Sequence, residues 1–126
     1  MFYEPRNDDH GLPFNPFKAC VVPRPIGWIT SLSHDGIVNL APFSCSNQLG
    51  YDPPFVFFSA SGLPQEDGEP RRKDSVVNVE NTGEFVFNMA TYALREQVNL
   101  SSARLAPDVD EMDLCGLTKV PSTLVQ

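Results

Sequence analysis

The chain has 126 residues, of which 41% are apolar and 20% charged, and this balance predicts one folded domain spanning residues 1–126. Nine basic and sixteen acidic residues give a net charge of −7, which argues against binding nucleic acid or an anionic membrane through bulk charge. The three cysteines have no close spacing, and neither a leader peptide nor an apolar run of ~18 residues is present, so we expect a soluble, cytoplasmic protein without disulfides.

The N-terminal segment, residues 1–17, is rich in proline and turn-forming residues and is expected to be an irregular arm. Its aromatic residues Phe14 and Phe17 are candidates for anchoring the arm to the domain body or to a second subunit. The short apolar run Ala19–Val22 then predicts a first strand, ended by the turn Pro23-Arg24-Pro25.

A β-hairpin follows, with strands around residues 26–32 and 39–44 joined by the turn Ser33–Gly36. The pair Asp35-Gly36 is typical of hairpin turns, which need positive φ angles. Because Pro42 has no N–H, we expect pairing to stop there and to leave backbone groups facing outward. Such groups suit a flat ring with polar edges, although an ordinary edge hairpin with a proline bulge fits the pattern equally well.

Residues 45–51 are polar and contain a glycine, whereas the continuous apolar run 55–60 predicts a strand buried on both sides. Residues 61–72 are typical of a surface loop. The pattern of short strands predicts an antiparallel, mainly β barrel with helical additions.

Beyond that loop, Asp74 and Ser75 are expected to begin a short helix that ends at Gly83. Alternation over residues 84–89 predicts a strand, and residues 91–102 predict a helix capped by Thr91.

The cluster Arg71-Arg72-Lys73 stands out in an acidic protein because it lies directly before the predicted helix start. Cations, a hydroxyl group and the free amides of a helix N-terminus together suit a phosphate group. A solvated basic patch is the alternative interpretation. Hydroxyl residues elsewhere favour a site for a phosphorylated ring cofactor, and these are Thr30, Ser31, Ser44 and Ser46.

Other chemistries find little support in the sequence. His10 and His34 are not spaced with other ligands in a metal-binding pattern, so no metal site is predicted. Cys20 and Cys45 have no evident base nearby, and neither a Gly-x-Ser-x-Gly elbow nor a Gly-x-Gly-x-x-Gly motif occurs. We therefore assign no catalytic acid or base.

In order and spacing, six segments resemble the flavin reductase-like FMN-binding family, which includes flavoredoxin and NAD(P)H:flavin oxidoreductases. The segments are Pro23–Ser31 (PRPIGWITS), Asn39–Ser44 (NLAPFS), Asp52–Pro54 (DPP), Lys73–Ser75 (KDS), Glu84–Asn88 (EFVFN) and Asp110–Thr118 (DEMDLCGLT). Each motif is weak alone, but their common order makes the resemblance specific.

This resemblance implies an FMN-binding split β-barrel, antiparallel and Greek-key-like with short helices, that holds FMN non-covalently as a homodimer. Thr30 and Ser31 would line the ribityl and phosphate side, whereas Lys73 and Ser75 would hold the phosphate with Asp74 at the helix start. The isoalloxazine edge would be met by main-chain groups of a continuous stretch and its neighbours, namely Asn39, Leu40, Ala41, Phe43, Ser44, Cys45 and Ser46.

The implied activity is hydride transfer from NAD(P)H to the flavin, with the protein supplying position and electrostatics. The reduced flavin would then serve a partner oxygenase or another electron acceptor. Two alternatives stay open: an FMN-binding electron-transfer or flavin-storage protein without nicotinamide chemistry, and a truncated structural or interaction module.

Members of this family typically continue for several strands after the position of Pro121. The resemblance therefore implies that the C-terminal portion of the barrel is missing after residue 126, or that a partner supplies this edge.

Overall fold

The computed structural model of the chain describes residues 3–4, 10–62 and 70–126. In these ranges the strands are β1 (Gly27–Leu32), β2 (Val38–Phe43), β3 (Ser46–Tyr51), β4 (Pro54–Phe58) and β5 (Val86–Met89). The helices are α1 (Pro16–Ala19), α2 (Asp74–Thr82), α3 (Arg95–Leu100) and α4 (Glu111–Leu114), with a 3₁₀ turn at Tyr92–Leu94. The prediction of a mainly β, antiparallel fold with short helices is confirmed.

The predicted hairpin is present as β1 and β2, and β5 pairs with the other side of β1 to give a three-stranded sheet in the order β2-β1-β5. The connecting turn is closed by hydrogen bonds from the Gly36 amide to the Ser33 carbonyl (3.0 Å) and from the Ser33 amide to the Ile37 carbonyl (2.9 Å). Gly36 alone supplies the positive φ of this turn, at 79°, whereas Asp35 does not. β1 is thus a central strand, and β2 forms the edge.

Pro42 does not end the pairing of β2, contrary to the expectation. It lies opposite Trp28, and the ladder continues to Phe43 opposite Gly27. The Leu40 amide donates to a side chain outside the sheet, so its N–H points away from β1. In an antiparallel pair the backbone N–H groups of alternate residues point the same way. At Pro42, two residues further along, an N–H would therefore also point away from β1, and its absence removes no hydrogen bond from the ladder.

The prediction of a strand at Ala19–Val22 is wrong, because this part of the chain contains the end of α1 and an exposed turn. The Asn15 side chain accepts hydrogen bonds from the amides of Phe17 (3.0 Å) and Lys18 (3.3 Å), and Pro16 occupies the first helical position. These local signals outweigh the apolar run. Phe14 is 81% exposed and Phe17 72% exposed, so neither is buried against the described body.

The hairpin of β3 and β4 forms a second, two-stranded sheet, and it corrects one prediction. Residues 46–51, for which the sequence predicted no element, form a strand, because their backbone pairs with β4 even though their side chains are mostly polar. β4 is a strand as predicted but is not buried on both sides, since Phe55 is 57% and Val56 49% exposed. In the described residues, β4 has only β3 beside it in the sheet.

Helix α2 begins and ends where the sequence predicted, with Gly83 in the left-handed region (φ 77°) donating to the Val79 carbonyl at 2.8 Å. It packs on β1 and β2, and its buried Asn78 donates to the Ser31 hydroxyl at 3.2 Å. The helix predicted at residues 91–102 is shorter and starts as a 3₁₀ turn without a side-chain cap from Thr91.

The core lies between the larger sheet and the helices. Trp28, Ile29, Leu40 and Phe43 are each at most 3% exposed, and Cys115 is 8% exposed. An aromatic cluster joins the two sheets, since the Phe58 ring lies 4.8 Å from that of Phe43. This packing buries the inner face of β2 and leaves its outer edge facing a cleft.

Candidate functional site

A cleft of about 270 Å³ lies along the outer edge of β2. We call it the β2–α2 cleft. One wall is formed by β2 and the start of α2, and the other by the segment that follows α3, with one residue from α4. The lining residues are Asn39, Ala41, Pro42, Arg71, Lys73, Asp74, Ser75, Ser101, Ser102, Ala103, Arg104, Leu105 and Glu111.

The start of α2 brings the cationic cluster to the cleft. Lys73 is the residue before the first turn, and its carbonyl accepts the Val76 and Val77 amides at 3.0 and 3.2 Å. The Asp74 and Ser75 amides donate to no other residue of the described chain, as expected for the first amides of a helix. These two N–H groups carry the positive end of the helix dipole into the cleft beside Lys73.

Arg71 and Lys73 are held in different ways. The Arg71 guanidinium binds both carboxylate oxygens of Asp74, at 3.0 and 3.3 Å. The Lys73 ammonium lies 5.1 Å from the centre of the Phe43 ring, a cation–π contact, and it forms no ion pair with a carboxylate of the described residues. Arg72 points elsewhere and pairs with Glu80 on the exposed side of α2.

Asn39 connects β2 to both α2 and α4 through polar contacts. Its side-chain oxygen accepts from the Ser75 hydroxyl (3.3 Å), and its amide nitrogen donates to Glu111 (3.5 Å). Ser75 is only 2% exposed. The Ser75 hydroxyl therefore fixes Asn39 in the cleft wall, and the part of Ser75 that can meet a ligand is its backbone amide.

Glu111 reaches the cleft because α4 is anchored at its start. The Asp110 side chain accepts from the Met112 and Asp113 amides at 3.0 and 3.2 Å, and Lys119 binds both Asp110 (2.6 Å) and Asp113 (2.7 Å). From this position Glu111 accepts the outward amide of Leu40 at 3.0 Å. The free backbone N–H expected on this edge is thus already bonded.

Burial raises the pKa of the Glu111 carboxyl above its ordinary value of 4.5, with the hydrogen bond from Leu40 opposing this effect and the carboxylates of Asp110 and Asp74 adding to it. The folded protein therefore binds this proton more tightly than the unfolded chain. The stabilisation from the neutral carboxyl is complete below pH 4.5 and declines as the pH rises through the folded-state pKa.

We expect Glu111→Gln to remove this pH dependence, because the amide cannot ionise but can still accept the Leu40 N–H. The free energy of unfolding of the variant, relative to the wild type, should rise from pH 4.5 upward and then level off. Urea unfolding followed by circular dichroism across this range measures the difference. If the difference in the free energy of unfolding between variant and wild type stays constant with pH, the pKa of Glu111 is the same in the folded and unfolded states.

The second wall of the cleft, residues 101–105, is tied to the core by Ser101. This residue is 3% exposed, and its hydroxyl accepts the indole N–H of Trp28 at 2.9 Å and donates to the Val98 carbonyl at 3.1 Å. Trp28 is the only tryptophan of the chain. Its fluorescence should therefore respond to changes at this wall.

Of the residues that the sequence predicted for a cofactor site, the structure brings Asn39, Ala41, Lys73, Asp74 and Ser75 together in the cleft. The others lie outside it. Leu40 and Phe43 are core residues, and the hydroxyl of buried Ser46 donates to the Phe43 carbonyl at 3.0 Å. Ser44 is partly buried, and Cys45 is exposed.

The two predicted hydroxyl residues on β1 face a different cavity. Thr30 accepts from Asn88 at 2.7 Å, and Ser31 accepts from Asn78 at 3.2 Å. Both line a more apolar cleft of about 390 Å³ that extends to residues 118–122. Their hydroxyls thus bind neighbouring strands and helices rather than sharing a site with Lys73.

Sequence reasoning missed Glu111 and the wall at residues 101–105. Both lie in segments whose side chains show no catalytic or ligand-binding spacing, and only the fold places them beside Lys73. The one available signal was the match of the segment beginning at Asp110 to a family motif, which gave no role to Glu111.

No group of three or more His, Cys, Asp or Glu side chains in residues 10–62 and 70–126 is placed to hold a metal ion. None of the helices in those ranges is both long and apolar enough to cross a lipid bilayer.

The fold and the cleft together define a split-barrel protein with a recess lined by three basic residues, Arg71, Lys73 and Arg104. The fold matches nitrilotriacetate monooxygenase component B from Bacillus cereus with a TM-score of 0.81 and 26% identity, covering 99% of this chain and 59% of that chain. It also matches a putative flavin reductase with a split barrel domain from Shewanella frigidimarina, with a TM-score of 0.63 and 24% identity over 81% of this chain and 47% of that chain.

The sequence comparison is more specific. Residues 19–125 match the family described as flavin reductase like domain, and the chain belongs to this family. An uncharacterized protein of Aquifex aeolicus is 41% identical over 106 residues, which is 84% of this chain and 52% of that protein. The chain thus spans about half the length of the curated relatives it matches.

Proposed function

We propose that the chain binds FMN with its phosphate in the β2–α2 cleft and takes part in the transfer of a hydride from NAD(P)H to this flavin. The observation that carries the proposal is the start of α2, where the Asp74 and Ser75 amides and the Lys73 ammonium face one recess. Backbone amides at a helix start together with a lysine form a strong site for a phosphate dianion.

The size of the cleft limits how much of FMN it could hold. Ligand pockets usually occupy about 300–1,000 Å³, and the cleft, at about 270 Å³, lies just below this range. It suits the phosphate and ribityl end of FMN, while the ring would extend past the end of β2 towards Ser44 and Cys45, which are not buried. Leu40 and Phe43 would support this surface from beneath, because both are packed in the core.

The remaining predicted residues receive supporting roles in this proposal. Thr30, Ser31 and Ser46 hold the strands in place through their hydrogen bonds, and Asn39 and Ala41 line the cleft beside the phosphate. No side chain is assigned as a proton donor or acceptor. Bound FMN would supply the redox chemistry, and the chain would supply position and a basic environment.

The partners in the proposal follow from the comparisons and from exposed surface. One similar structure is named as component B of a monooxygenase, which supports delivery of the reduced flavin to a partner oxygenase.

The sheet of β3 and β4 exposes apolar side chains, which supports a homodimer. These are Leu49, Tyr51, Phe55 and Val56.

The test is a titration of the purified chain with FMN, followed by flavin fluorescence and by the fluorescence of Trp28. We expect saturable quenching of both signals, because Trp28 contacts the cleft wall through Ser101. Oxidation of NADH and of NADPH is then measured with FMN present. Absence of FMN binding would refute the proposal, whereas binding without NAD(P)H oxidation would identify a flavin carrier that lacks nicotinamide chemistry.

A further inference from the structure

The wall formed by residues 101–105 presents a third cation to the β2–α2 cleft. Arg104 lines the cleft and is exposed. It comes three residues after Ser101, whose hydroxyl is bonded to Trp28. The Ser102 and Ala103 amides donate to the carbonyls of Asn99 and Leu100, both at 3.1 Å. Arg104 therefore extends from a segment that is fixed at its base.

The charges in the cleft are not balanced by its own carboxylates. Among the described residues, Asp74 is paired with Arg71, whereas Glu111 is bonded to Leu40 and Asn39. Neither Arg104 nor Lys73 forms an ion pair with a carboxylate in the described part of the chain. Two cations from separate walls thus face one recess in a protein whose net charge is −7.

We infer that Arg104 binds the phosphate group of the flavin and makes the cleft selective for the phosphorylated form over riboflavin. This inference rests on the proposed function, and it adds a residue from a different wall to Lys73 and the amides of α2. A guanidinium presents its N–H groups in a planar fork that matches two oxygens of one phosphate. Lysine supplies a point charge without this geometry.

Arg104 is on a different segment from Lys73, so its contribution can be measured separately. Removing one charge-assisted contact lowers affinity by about tenfold or more. Riboflavin has no phosphate, so its affinity should not depend on Arg104. Inorganic phosphate should compete with FMN in the wild type and compete less well once Arg104 is removed.

The experiment compares the wild type with Arg104→Ala and Arg104→Lys, using titrations with FMN and with riboflavin at one salt concentration. Arg95→Ala is the matched control, because Arg95 is an exposed arginine on α3 that pairs with Glu96 and does not line the cleft. Like Arg104→Ala, Arg95→Ala removes one positive charge from the protein. Circular dichroism and thermal unfolding establish that each variant is folded.

We expect Arg104→Ala to weaken FMN binding by about tenfold and Arg104→Lys by less, while riboflavin binding and the Arg95→Ala variant stay at wild-type affinity. Equal FMN affinity in Arg104→Ala and the wild type would overturn the inference and leave the proposed function intact. An equal loss for FMN and riboflavin would also overturn it, because the effect would not come from the phosphate. A wild type that binds no FMN would instead refute the proposed function itself.

Discussion

Lys73→Ala is expected to lower the affinity for FMN by about ten- to a hundredfold, the effect of losing one charge-assisted contact of about 1.5–3 kcal/mol. The Lys73 ammonium lies at the start of α2, where its only ring contact among the described residues is with Phe43. A phosphate held by the neighbouring amides would be within the field of this charge. Titration with FMN under fixed ionic strength gives the ratio of dissociation constants.

Arg72→Ala provides the matched control for this measurement. Arg72 is adjacent in sequence and has the same charge, but it pairs with Glu80 and does not line the cleft. We expect its affinity for FMN to stay at the wild-type value, and Lys73→Arg to retain most of the binding. If Lys73→Ala and Arg72→Ala bind FMN equally well, the phosphate does not lie at the start of α2.

The fold of the Lys73→Ala variant should be intact, which separates binding from stability. An exposed cation–π contact contributes about 0.5–1 kcal/mol, so its loss from Phe43 should leave the chain folded. Thermal unfolding without ligand checks this point. A large drop in the unfolding temperature would mean that the affinity change reports unfolding rather than a lost contact.

The elements that could be predicted from sequence are those whose ends carry local signals. Gly36 closes the β1–β2 turn with a positive φ, and Gly83 ends α2 in the same way. Asp74 and Ser75 marked the start of α2 correctly. Because both the turn and the helix depend on contacts between near neighbours in the chain, a single sequence was sufficient to place them.

Burial could not be predicted in the same way, because it depends on which elements pack together. The run from Phe55 to Ala60 looked like a core strand, yet Phe55 and Val56 are about half exposed. No strand was predicted at residues 46–51, because their mostly polar side chains lack the alternation that is typical of a half-buried strand. Hydrophobicity indicates that a segment favours burial, but it does not show which other element of the chain, if any, covers it.

The candidate site was only partly predictable for a similar reason. Lys73, Asp74 and Ser75 are adjacent in sequence, so their cluster was visible. Glu111 and Arg104 come to the cleft through α4 and the turn after α3, about thirty or more positions away from Lys73. Only tertiary packing identifies such residues as neighbours.

Leu40→Ala should lower the free energy of unfolding by about 2–5 kcal/mol, because truncating a buried leucine loses transfer free energy and leaves a cavity. Leu40 is 2% exposed on β2. Its side chain faces the core while its amide donates to Glu111, so the substitution also loosens the wall beside Lys73. Urea unfolding at neutral pH measures the loss, which is a large part of the stability of a domain of this size.

Leu49→Ala is the matched comparison, since it makes the same chemical change on strand β3, where Leu49 is 67% exposed. At a dilution at which the chain is monomeric, its cost should stay within about 0.5 kcal/mol, as for most exposed positions. At higher concentration the proposed dimer through β3 and β4 would bury Leu49, and the cost should rise. A loss as large as that of Leu40→Ala in the dilute chain would contradict the exposed position of Leu49. Dilution of the wild type tests directly whether stability depends on protein concentration.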